Sequence, residues 1–297
     1  MRQIFLMLLL LLLMPALSSC DRSEQDSGYH GYLYFAKGAY LMRFALRDAS
    51  LSVVTNLGDK TIQDLSKFVE NKLLIAETAS VNRRKVYRIS WIDVKTGQTS
   101  ALYAGVFARY LAESGQIVYD DGDRLFAVAI FGDSSSETIF SHRMNQLSKV
   151  MVGPVGTVLF ETSDAGVRHI HSYDLMTGTL ETLDRLSEVC RLEHAVWIDD
   201  LDQMACKEQS SPVDQGHYVL ANLDGDVSGE LNLPEGKQFN ALAYIADQSA
   251  LILTERWSSL LGGRANSAVW IHNIQSGENR RLAKNQNLGS SVVYTDF

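Results

Sequence analysis

The chain has 297 residues, a net charge of −8, 46% hydrophobic residues, four prolines and three cysteines. An acidic chain of this kind is a poor polyanion binder, so nucleic acid is excluded as a partner. Its apolar content is enough for a sizeable core, and no low-complexity segment follows the first thirty residues.

The first segment reads as an address. Arg2 supplies a positive start, and residues 4–14 form an almost unbroken apolar run, shorter than the roughly 20 residues a membrane span requires. The run ends in Leu17-Ser18-Ser19-Cys20, which resembles the bacterial lipobox. The resemblance implies a signal peptide over 1–19 and lipidation of Cys20, with an ordinary signal peptide and a chance cysteine as the alternative. Asp21 after the cysteine is similar to the inner-membrane retention signal of enterobacterial lipoproteins. Residues 20–29 are polar and patternless, so they are expected to be a tether. Removing the leader leaves 26 basic against 35 acidic residues, a net of −9. The expected location is a periplasm-facing, lipid-anchored site in the cell envelope.

Residues 30–297 then repeat one unit. In the stretch 62–105 the elements are 62–69, 73–77, 86–94 and 99–103, with turn residues between them. Four short strands with regular turn signals are the sequence signature of a propeller blade. Further units read 107–112, 116–120, 124–131, 137–141; then 147–152, 157–161, 167–175, 179–183; then 192–198, 203–207, 217–223, 228–233; then 239–245, 250–255, 268–274, 279–283. Three strands at the front (31–37, 40–46, 51–56) and one at the end (291–297) complete a sixth blade. Such closure removes exposed sheet edges. The fold predicted is all-β: a six-bladed propeller of four-stranded blades, closed by the C-terminal strand.

A turn recurs after the third strand: Asp93-Val94-Lys95-Thr96-Gly97, Asp174-Leu175-Met176-Thr177-Gly178 and Asn273-Ile274-Gln275-Ser276-Gly277. The Asx side chain bonds its own backbone and glycine supplies the positive φ. Strands and turns together resemble TolB-like six-bladed propellers over about residues 31–297. That family's Ser-Pro-Asp-Gly turn between the first two strands is absent, and Glu113-Ser114-Gly115 is a loose echo of it.

In such propellers the first strand lines the central channel, and its start lies where ligands usually bind. An ungapped alignment of those starts places Asp64, Arg109, Lys149 and His194 in one register. These mixed charges form either a polar pocket for a peptide, sugar or carboxylate, or the wet lining of any propeller channel. The ends of the second strands carry Glu77, Asp120, Glu161 and Glu255, with Lys37 and Lys207 in the other two blades. They are expected to form a solvated rim, because a ring spreads carboxylates too widely for one cation. His169 and His171 share a strand face. They are expected to be a surface pair; zinc would need a third ligand, for which His217 is the candidate by register. No metal and no other cofactor is implied.

Cys190 and Cys206 flank the Asp199-Asp200 turn on adjacent strands. In an oxidising compartment they are expected to pair, with two buried free thiols as the alternative. The insertion 256–266 carries Trp257, Leu260 and Leu261, apolar residues that either contact a partner or fold back over the propeller. The sequence contains no Gly-x-Ser-x-Gly elbow, His-Glu-x-x-His helix or Gly-x-x-x-x-Gly-Lys loop. No catalytic residue is therefore assigned. The function expected is a membrane-anchored, non-catalytic propeller that binds an envelope protein or peptide. The alternative is a propeller hydrolase or lyase acting on a sugar or peptide-like substrate, and a cation-stabilised structural propeller is a third possibility.

Overall fold

The computed structural model describes residues 26–130, 136–142, 146–209, 217–257, 266–284, 286–289 and 291–296. Cys20, Asp21, Leu260 and Leu261 lie outside the described residues. The strands form six four-stranded antiparallel sheets. Blade I joins β24 (Val292–Thr295) to β1 (Tyr32–Lys37), β2 (Tyr40–Ala45) and β3 (Leu51–Asn56). Blade II holds β4 (Thr61–Lys67), β5 (Lys72–Val81), β6 (Arg84–Asp93) and β7 (Thr99–Tyr103); blade III holds β8 (Phe107–Leu111), β9 (Gln116–Asp120), β10 (Arg124–Ala129) and β11 (Ser136–Ser141). Blade IV contains β12 (Leu147–Val152), β13 (Thr157–Asp164), β14 (Val167–Asp174) and β15 (Thr179–Thr182). Blade V contains β16 (Cys190–Ile198), β17 (Gln203–Glu208), β18 (Tyr218–Ala221) and β19 (Val227–Glu230). Blade VI contains β20 (Phe239–Ile245), β21 (Ala250–Trp257), β22 (Asn266–Asn273) and β23 (Asn279–Lys284).

Closure follows the expected route: β24 pairs antiparallel with β1, Thr295 opposite Tyr32 and Val292 opposite Phe35. The inner strands β24, β4, β8, β12, β16 and β20 touch in sequence and return to β24, which closes the ring. Because strands alternate, the hairpins between second and third strands share one end of the ring with the fourth-to-first connections; that end is called the upper face here. Turns between first and second, and third and fourth, strands make the lower face.

Six apolar clusters each fill one interface between neighbouring blades. The second strand is covered on both sides. Leu73 and Ile75 of β5 face blade I, whereas Leu74 faces blade III. Burial on both faces explains why second strands read as continuous apolar runs and not as alternating patterns. The recurring turns behave as their sequence requires. The Asp93 carboxylate accepts the Lys95 and Thr96 amides at 2.9 Å. The Gly97 amide closes on the Asp93 carbonyl at 2.8 Å with φ of +73°.

One element has no counterpart in the sequence reading. Helix α1 (Asp184–Val189) links blades IV and V, burying Leu186 and Ser187. At the lower face the chain is held from Ser27 onward, inside the stretch expected to be free tether. The Ser27 hydroxyl donates to the Leu46 carbonyl at 2.7 Å, and Tyr29 packs against the core between blades VI and I. Among the described residues, no helix is long and apolar enough to cross a membrane.

Candidate functional site at the channel mouth

All six inner strands line a central channel of about 320 Å³, with Arg109, Lys149, Trp197, Tyr244 and Ser291 on its wall. Bulges change the register assumed from sequence. Ile62 and Asp64 pair with Glu77 and Ala76, so Gln63 is the extra residue, and Ser148 is extra between Leu147 and Lys149. The pairing of β16 with β17 breaks between Arg191 and Val196. Asp64, Arg109, Lys149 and His194 are therefore not equivalent positions. They nevertheless lie on four consecutive inner strands, and each senses the charge of at least one of the others.

Two of them form a closed unit. The Arg109 guanidinium is forked onto the Asp64 carboxylate, with Nη2 to Oδ1 at 3.3 Å and Nη1 to Oδ2. Their side chains are 12% and 16% exposed. Arg109 Nε also donates to the Val150 carbonyl at 3.0 Å, and the Ser291 hydroxyl donates to Asp64, so this pair ties blades I, II, III and IV together. Burial pushes the Asp64 carboxyl up, but the charge and hydrogen bonds of Arg109, with Ser291 and Lys149, outweigh it and hold the group below the usual carboxylate range.

The other two are open. Burial, reinforced by the Arg109 charge, pulls the Lys149 ammonium down, and among the described residues Lys149 has no hydrogen-bond or ion-pair partner. Burial also lowers His194, against the opposing effect of Glu193, whose carboxylate lies 4.0 Å away. The imidazole is thus neutral near pH 7.

The acids at the ends of the second strands do not form a solvated rim. Glu77, Asp120, Glu161 and Glu255 are only 3%, 3%, 1% and 8% exposed. Each is neutralised or bonded in place. Glu77 takes Lys60 at 2.9 Å, and Asp120 takes the Gly122 amide at 2.7 Å and His142 at 3.1 Å. Glu161 accepts the Ser148 hydroxyl at 2.7 Å and, from the next blade, the Leu192 amide at 3.0 Å. Glu255 takes Lys237 at 2.7 Å and the Trp270 indole at 2.8 Å. The physical reason is depth: the second strand is sandwiched to its end, so a charge there must be paired. In blade I the equivalent Lys37 is exposed, while Lys207 of blade V is half-buried.

One of the two histidines of β14 differs from expectation: His169 is half-buried, whereas His171 is not at the surface. His171 is only 9% exposed, sits between the Thr162 and Thr182 hydroxyls at 2.9 and 3.1 Å, and stacks on Phe160. His217 instead pairs with Glu230 at 2.5 Å. Among the described residues, no three His, Cys, Asp or Glu groups are placed to hold a metal.

Cys190 and Cys206 are joined as a disulfide, with Cα atoms 5.5 Å apart. The bridge holds β16 to β17 at the point where their ladder is interrupted. Trp257 ends β21 and is 37% exposed. Close to it lies a feature that sequence reasoning missed, a cleft of about 530 Å³ on the upper rim between blades V and VI. His217, Leu231, Leu233, Pro234, Lys237 and Phe239 are among its walls. Its only sequence signal is the 231–238 connection, longer and more apolar than a simple turn.

No protein-family model and no curated protein matches this chain. Solved structures do. TolB from Acinetobacter baumannii superposes with a TM-score of 0.60 at 11% identity, over 91% of this chain and 67% of that one. A putative TolB from Agrobacterium tumefaciens gives 0.57 at 9% identity, over 90% and 98%. An oligogalacturonate lyase in complex with manganese gives 0.51 at 15% identity, over 86% and 74%. The likeness is one of fold. This chain shares its propeller fold with TolB structures and with a lyase.

Proposed function

We propose that this protein is an envelope lipoprotein whose propeller binds a protein or peptide partner through its upper face, without catalysis. The observation that carries the reading is the division of labour at the channel mouth. Asp64 and Arg109 are locked to each other and to the carbonyl of the next blade, so neither is placed as a free acid or base. Lys149 and His194 remain open beside them, and the rim cleft and Trp257 extend the surface outward over blades V and VI. An unengaged polar patch beside a cleft of mixed polar and apolar walls, with an exposed tryptophan nearby, suits a polypeptide ligand.

Lipidation of Cys20 gives this surface a direction. From Cys20 to Asp26 the chain spans at most about 20 Å. It enters the propeller at the lower face, where His30 meets Asp247 at 2.8 Å and Arg280 donates to the Ser27 carbonyl. The lower face would rest near the membrane, inner by the Asp21 signal, and the upper face would look into the periplasm.

The test is affinity capture from detergent-solubilised envelope. A discrete partner retained by the wild-type protein and lost with Trp257→Glu supports the reading. Equal capture by both proteins refutes it. Turnover of a sugar or peptide substrate that Arg109→Ala and His194→Ala abolish would establish the hydrolase or lyase alternative.

A further inference from the structure

Blade V departs from its neighbours in one respect: at the upper end of its second strand a cation replaces the buried acid. Lys207 stands directly opposite Arg191 on the antiparallel ladder of β16 and β17. Residues opposite each other project from the same face, and like charges in that arrangement repel. Arg191 Nε is buried and has no hydrogen-bond partner, and among the described residues no acid lies within ion-pair distance of either cation. Lys149 is joined to this group through Glu161, which stands opposite it and accepts the amide of Leu192, the residue after Arg191, and His194 feels the charges of Lys207, Lys149 and Arg191. The acids beside this group are Glu161, opposite Lys149 on the β12–β13 ladder and bonded to the Ser148 hydroxyl and the Leu192 amide, Glu193, whose side chain is 58% exposed, and Asp64, already engaged by Arg109. Arg191 and Lys207 thus stand as facing cations without a carboxylate partner among the described residues, in a chain whose net charge is −8.

The same row continues outward. Lys207 pairs with Tyr218 on β18, and Tyr218 with its neighbour His217 lines the rim cleft. Strand spacing puts Arg191 and Tyr218 about 10 Å apart, about three residues of extended peptide.

We propose that Arg191, Lys207 and Lys149 bind the carboxylates of an acidic peptide segment, whose following apolar residue seats in the cleft walled by Leu231, Leu233 and Phe239. This rests on the partner-binding reading above and specifies its chemistry. Carboxylates would relieve the Arg191–Lys207 repulsion, as the acids of blades II, III, IV and VI pair with their own cations.

The experiment is isothermal titration of the full-length protein in detergent. The probes are a hexapeptide with two glutamates followed three residues later by leucine, its glutamine counterpart, and inorganic phosphate. Wild-type protein should bind the glutamate peptide, with affinity falling about tenfold or more, equivalent to about 1.4 kcal/mol, for the glutamine peptide and for Lys207→Gln. Lys207→Glu should abolish binding without lowering the melting temperature, because the new carboxylate pairs with Arg191. Failure of the wild type to bind, or equal binding by the Lys207 variants, would overturn the proposal. Phosphate competing as well as the peptide would overturn the peptide assignment in favour of a simple oxyanion site. Capture of an envelope partner that survives Lys207→Glu but not Trp257→Glu would remove this inference while leaving the broader reading in place.

Discussion

Replacing Arg109 by alanine tests whether the channel mouth is a structural joint as well as a surface. The substitution leaves the Asp64 carboxylate with the Ser291 hydroxyl as its hydrogen-bond partner and frees the Val150 carbonyl. With side chains 12% and 16% exposed, water reaches the pair only partially. Breaking one side of such a pair costs about 3 kcal/mol. Asp64→Asn keeps the shape and removes the charge, and should cost about 1–2 kcal/mol. The double variant should be less destabilised than the sum, with a coupling of about 2 kcal/mol. Urea unfolding of the four proteins at neutral pH measures this directly. Acid titration supplies an independent arm. The folded-state carboxyl of Asp64 lies below its ordinary value, so its contribution is complete above the unfolded pKa and is lost as pH falls through the folded one. Wild type should therefore lose stability in that acidic window to a greater extent than Asp64→Asn. A cost below about 1 kcal/mol for Arg109→Ala, or strict additivity, would refute the argument.

Three further outcomes follow from the same structure. Replacing both Cys190 and Cys206 by alanine opens a bridge of sequence separation 16, and should lower unfolding free energy by about 3 kcal/mol; two free thiols in non-reducing mass analysis of the wild type would contradict the premise. Glu161→Ala removes the acceptor of the Leu192 amide and should cost about 2–3 kcal/mol, whereas a solvated-rim residue would cost under about 0.5 kcal/mol in the same melt. Cys20→Ser should leave an unprocessed chain or one released from membranes, as fractionation and intact mass would show; unchanged attachment would sink the anchor.

The blade repeat was legible because it rests on local physics. Second strands such as β5 and β13 are apolar without alternation since both faces are covered, and the Asp93, Asp174 and Asn273 turns carry their own hydrogen-bonding chemistry. The bulges at Gln63 and Ser148 and the break after Arg191 leave no compositional mark. The ungapped register was therefore wrong: of the four residues aligned, Arg109 and Lys149 line the channel, while Asp64 and His194 lie on neighbouring inner strands. The depth of Glu77, Asp120, Glu161 and Glu255 was hidden for a related reason. Each acid follows an apolar run as an exposed rim residue would, and its partners, such as Lys60, Ser148 and Lys237, come from other strands or connections. His171 reads as one of a surface pair until Phe160 and two threonines are seen around it. Blade V's exception at Lys207 was visible in the alignment, but its meaning needed Arg191 opposite it.

The most direct test of the account is site-specific photo-crosslinking in the intact envelope, with the reactive residue placed at Trp257 on the upper face or at Met176, an exposed lower-face turn residue. The account predicts a discrete polypeptide crosslinked from Trp257 and absent from Met176, identified by mass spectrometry. The same product from both positions, or none from Trp257, would contradict it.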